Sequence, residues 1–123
     1  MIYLLVGWYA YTQTFCTEWE NRNMTFGDFL KELIKKNGSS QSNFYREWGI
    51  KKAYFYDIVS GRTNPPPHEL QIKAMEILAA DQDDRSLFFD LAAKERGDVP
   101  ADISEWINKY PNAKTMIRKI MHN

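Results

Sequence analysis

The chain has 123 residues, with 16 Lys and Arg balanced by 16 Asp and Glu, so its formal net charge is zero. At 44% hydrophobic and 26% charged residues it has the composition of one folded globular domain, which excludes disordered, collagenous and supercharged chains. A single cysteine, Cys16, excludes an internal disulfide framework, and His68 and His122 stand too far apart in sequence for a ligand pair, so no metal is expected.

The chain opens on the apolar run M-I-Y-L-L-V-G-W-Y-A. It is about half the ~20 residues of a membrane-spanning helix. It lacks the basic start and small-residue cleavage site of a secretory signal. Its Tyr, Val, Ile and Trp content suits a short strand or packed extension. A second reading is that residues 1–23 are a non-native leader and that translation begins at Met24. A purine-rich stretch encoding Trp19-Glu20 lies just upstream of that methionine. The expected location is the cytoplasm, with no membrane partner.

From Met24 onward no strand-like alternation occurs and helices follow one another. Thr25 caps the first, with Asp28 at its third position and Phe26, Phe29, Leu30, Leu33 and Ile34 at helical spacing; Asn37-Gly38 stops it. Ser39 or Ser40 caps a short second helix, Gln41 to Trp48, which Gly49 breaks. A third runs from about Lys51 to Ser60, burying Ile50, Phe55, Ile58 and Val59, and the proline run 65–67 follows Gly61. A fourth spans His68 to Ala80, with Leu70, Met75, Ile77 and Leu78 apolar. A fifth spans Asp81 to Arg96, carrying Leu87, Phe88, Leu91 and Ala92. A sixth, Ala101 to Lys109, carries Ile103, Trp106 and Ile107. Pro111 opens a seventh through about Met121. The predicted fold class is all-α.

Zero net charge hides a sorted distribution. Segment 25–64 has seven basic and four acidic residues, 65–105 has four and ten, and 106–123 has four and none. Solvated helix faces account for this as readily as a ligand does.

Two short helices joined through a glycine are too short to stand alone and form a helix-turn-helix candidate. In such a pair the N-terminal end of the second helix reaches base edges in the major groove. Here that end carries Lys51 and Lys52, cations opposed by the helix macrodipole.

The stretch from Phe26 to about Ala80 resembles the lambda-repressor-like, XRE-type helix-turn-helix family of phage and bacterial regulators. The matching residues are F-x-x-F-L-K-E-L-I-K-K-N-G-x-S-Q and G-I-K-K-A-Y-F-Y-D-I-x-S-G-R-x-N-P; the S-G-R-x-N-P ending is the more specific piece. Residues 90–106 also resemble a C-terminal extension of such regulators. The resemblance implies a helix-turn-helix bundle over residues 24–80, followed by a helical extension over 81–123. It also implies a homodimer on an inverted repeat in double-stranded DNA. Carried over position by position, Gln41 is a phosphate contact, and Lys51, Lys52 and Ala53 front the reading helix, with Lys52 placed for guanine. Tyr54 and Asp57 are further groove-facing positions, and Arg62 and Asn64 contact the backbone.

This sequence departs from the pattern at Tyr45, where the family has a small residue, at Trp48 and at Val59. Tyr54, Phe55 and Tyr56 make the third helix unusually aromatic. Compensating core volume explains this. So does a surface that grips a protein, as an antitoxin grips its toxin or a phage inhibitor its CRISPR nuclease. The apolar positions Met116, Ile117, Ile120 and Met121 pack either on their own domain or on a second copy. Asp81, Asp83 and Asp84 resemble half a calcium loop but fit better as helix-capping charge. No nucleophile motif or phosphate-cradling loop is present, so the chain reads as a non-enzyme without cofactors.

Overall fold

The computed structural model describes residues 24–123, and the expectations for residues 1–23 and Cys16 lie outside them. Among the described residues all regular structure is helical: α1 (Phe26–Lys36), α2 (Gln41–Trp48), α3 (Lys52–Ser60), α4 (His68–Leu78), α5 (Gln82–Arg96), α6 (Ala101–Lys109) and α7 (Ala113–Met121). None of them is long and apolar enough to cross a membrane.

The helix starts follow from local side-chain chemistry. Thr25 Oγ1 accepts from the Asp28 amide at 3.1 Å, Ser40 Oγ from Asn43 at 3.1 Å, and Asp81 Oδ1 from Asp84 at 2.9 Å. Each satisfies an amide that the first helical turn leaves without a backbone partner. Asp81 thus has a capping role, and Asp84 pairs with Lys36 of α1 at 2.9 Å. That carboxylate, by hydrogen bond and charge, raises the pKa of the exposed Lys36 ammonium above its ordinary value. The start of α1 has a second, distant cap. Glu95, near the end of α5, accepts from the Phe26 amide at 2.6 Å, a negative charge at the positive end of the α1 dipole.

The core is aromatic. Phe26 and Phe29 of α1, Phe44 and Trp48 of α2, Phe55 of α3 and Phe88 and Phe89 of α5 are all buried in one cluster. The Phe26 and Phe88 rings lie 4.8 Å apart, so α5 shares the core of the first four helices. Trp48 is fully enclosed, and its indole N–H donates to the Leu70 carbonyl of α4 at 2.7 Å, which meets the one polar demand of that ring. The α5 core face differs from the predicted one. Phe89 and Ala93 are buried with Phe88 and Ala92, whereas Leu87 and Leu91 are only half-buried. The packing of α5 against α1 on one side and α6 on the other widens its buried arc. Helix α4 stops at Leu78, two residues before the predicted end, because Ala79 takes a left-handed conformation at φ 47°.

The proline segment is clamped from both flanks. Arg96 donates to the Pro65 carbonyl at 2.8 Å and to Asp98 at 2.9 Å, and buried Gln71 donates to the Pro66 carbonyl at 2.7 Å. These bonds use carbonyls that no helix claims.

Helices α1 and α3 meet backbone to backbone at Gly27. A Cβ built there would stand 2.7 Å from Val59 Cα and closer still to the Val59 carbonyl oxygen. Gly27→Ala therefore forces the helices apart. The expected cost is about 1–3 kcal/mol by urea unfolding, despite the ~1 kcal/mol by which alanine favours an exposed helix.

At the α5–α6 junction, crowding desolvates the Asp90 carboxylate and Asp102 adds like charge, so its pKa is raised above the ordinary carboxylate value. The folded chain then holds that proton more tightly than the unfolded one. Stability is lost as pH rises from the ordinary value through the raised one. Asp90→Asn is expected to raise the Tm at neutral pH in dilute protein, with the gain vanishing in acid below the ordinary carboxylate range.

Candidate nucleic-acid interface

The α2–turn–α3 unit is built around Gly49. Its amide donates to the Tyr45 and Arg46 carbonyls at 3.0 and 3.1 Å, and its left-handed φ of 82° turns the chain so that Ile50 also donates to Tyr45, at 3.2 Å. A residue with a Cβ is strained in that conformation, whereas glycine is not. Phe44 and Phe55 meet edge to face at 6.2 Å across the pair, and Tyr45 lies against Phe55 at 5.5 Å. The bulky side chain at Tyr45 is thus accommodated half-buried beside the helix contact.

Phe55 and Ile58 point into the core, so the helical rotation turns Lys52, Ala53, Tyr56 and Ser60 to solvent. Lys51 is the N-cap of α3 in extended conformation and makes no side-chain cap hydrogen bond. The first amides of α3 therefore lack a side-chain acceptor from that residue, at the positive end of the helix dipole. Lys51 and Lys52 are exposed, and among the described residues neither has an ion-pair partner. Lys52 Nζ instead lies 6.0 Å from the centre of the Tyr56 ring, itself 43% exposed. This end of α3 is a cationic, donor-rich surface suited to an anion.

The other predicted positions fall as follows. Lys51, Lys52 and Ala53 lie together at the front of α3. Tyr54 turns inward and is half-buried against the core, so Tyr56 is the aromatic residue on the open face. Asp57 is half-buried and lies 3.8 Å from Arg62, while its backbone carbonyl receives the Arg62 and Thr63 amides at 3.0 and 3.3 Å. Arg62 and Asn64 are exposed beyond the far end of α3, and Gln41 is half-buried at the start of α2. Arg62 and Asn64 thus lie past the opposite end of α3 from the Lys51–Ala53 group. Lys73 of α4 was not foreseen, yet its ammonium lies 3.4 Å from where a Cβ of Gly49 would stand. No local pattern marks a residue 24 positions downstream of the turn.

Among the described residues, no cluster of three His, Cys, Asp or Glu is arranged to hold a metal ion. His68 lies 3.3 Å from Asp98, beside the clamp on the proline segment and away from α3. Comparison with known proteins adds no relative: no family model, curated protein or solved structure matches the chain.

Proposed function

We propose that the chain is a sequence-specific DNA-binding regulator of the lambda-repressor-like type, in which α3 enters the major groove. The observation that carries this reading is the solvent-facing front of α3: two exposed lysines, without ion-pair partners among the described residues, beside a helix start with no side-chain cap. Within that reading Lys52 hydrogen-bonds a guanine edge. Lys51 and the first α3 amides hold phosphate, as does Lys73, while Arg62 and Asn64 contact the backbone further along. Two copies read an inverted repeat with half-sites about one helical turn apart.

A second reading, a protein-binding module on the same scaffold, is favoured by the exposed Tyr56 ring, since aromatic residues are enriched in protein interfaces. Salt separates the two: DNA binding falls steeply with ionic strength, and an aromatic protein interface responds weakly.

Selection from random duplex DNA at about 150 mM salt, where non-specific binding is weak, is expected to recover an inverted repeat. Recovery of no motif by folded protein overturns the DNA reading. On the recovered site, Lys52→Ala is expected to weaken binding by about 1–3 kcal/mol and relax one base position, with the circular dichroism spectrum unchanged. Unchanged affinity removes Lys52 from base contact.

A further inference from the structure

Seven of the eight large apolar side chains exposed among the described residues lie between Val99 and Met121; Tyr56 is the exception. On α6 they form a stripe within one helix. Ile103 and Trp106 are neighbours on one side by helical spacing. The Trp106 ring, 51% exposed, lies 5.1 Å from the Tyr110 ring, 50% exposed. Elsewhere α6 packs on α4 and α5 and buries Ala101, so this stripe is the side of α6 that the described helices leave uncovered.

The same chain holds a segment with the complementary need. No charged side chain occurs before Glu18, and residues 1–15 include Leu4, Leu5, Val6, Trp8 and Phe15, side chains that gain by leaving water. The segment joins the bundle beside α6. Met24 packs against the core, and the Phe26 amide donates to Glu95 in the last turn of α5 at 2.6 Å. Helix α6 begins soon after that turn, at Ala101. Residues 16–23 reach up to ~26 Å when extended, whereas the nine residues of α6 span only ~14 Å. That tether brings residues 1–15 within reach of the whole stripe. We infer that residues 1–15 pack across the Ile103, Trp106 and Tyr110 stripe of their own chain, as an apolar cover tethered at Met24. Tethering favours this occupant, because a segment on a short linker meets its site at about millimolar effective concentration. An anionic lipid surface finds no cation in residues 1–15 to attract it. The groove along α1 beside Met24 is lined by Asp28, Lys31, Glu32 and Lys35, a poorer host for uncharged, apolar residues.

The inference goes beyond the DNA reading and is tested without DNA, so either can fail alone. Cys16 is the only cysteine, so Thr12→Cys with Cys16→Ser gives the full chain one nitroxide-labelling position inside the segment. In the nitrogen-15 spectrum of that labelled chain, the amides from Ile103 to Tyr110 are expected to lose most of their peak height. Leu4→Lys with Val6→Lys, which leaves the bundle untouched, is expected to restore those peaks. Ile103→Asp, at an exposed position, is expected to restore the rest of them with the other bundle amides unmoved. Undiminished α6 peaks in the labelled chain overturn the proposal, and so does a loss centred on α1 or one that survives Leu4→Lys with Val6→Lys. An equal loss on α6 when labelled chain is mixed with unlabelled nitrogen-15 chain shows the segment of a second copy. Flotation of the chain with phosphatidylcholine vesicles, abolished by Leu4→Lys with Val6→Lys, shows a lipid occupant for the segment. Both overturn it.

Discussion

The position of α3 depends on an absent atom. Because Gly27 has no side chain, α1 accepts the Val59 backbone directly against its own. A contact of this kind leaves little latitude: backbone cannot change rotamer to relieve a clash, so the helix spacing is set by covalent geometry. With α3 pressed against α1, Phe55 and Ile58 have only the core to occupy. The 3.6-residue period then leaves Lys52, Ala53 and Tyr56 no direction but outward. The chemistry of the open face is therefore decided on the opposite side of the helix. Trp48 does for α2 what Gly27 does for α1, by shape and by one hydrogen bond to α4.

Polarity is distributed in three zones. In the bundle of α1 to α5, side chains cap the starts of α1, α2 and α5, and Arg96 and Gln71 hold the proline segment. The front of α3 is cationic. At the α6–α7 end, Trp106, Met116 and Ile120 are exposed apolar side chains. Neutrality of the whole chain comes from cancellation between these zones, so net charge is a poor guide to what any one surface attracts.

Much of the architecture was legible because its signals are local. Thr25, Ser40 and Asp81 mark helix starts by bonding amides three residues away, and Gly49 marks a turn by its conformation. What escaped was non-local. Ala79 ends α4 without a residue type that favours its backbone conformation. Phe89 and Ala93 are buried because α5 has neighbours on two sides, which its own periodicity does not record. Ile103 and Trp106 of α6 and Met116 and Ile120 of α7 look like core by spacing, yet they are exposed. At the candidate interface the Lys51–Ala53 group followed from its place after the glycine turn. The inward turn of Tyr54 and the approach of Lys73 depend on how α3 and α4 pack, and sequence spacing carries neither.

The bond from the Phe26 amide to Glu95 closes a loop across 69 residues. A chain emerging from the ribosome makes α1 before the other described helices, and the group that completes its leading turn comes late in the synthesis of the core. Until Glu95 arrives with Phe88 and Phe89, the Phe26 ring lacks its α5 neighbour and the Phe26 amide its carboxylate. Made before the other described helices, α1 thus waits longest for its last partner. The cooperative unit during synthesis is the whole span from α1 to α5, and a nascent chain that ends at the helix pair is an incomplete core rather than a smaller domain.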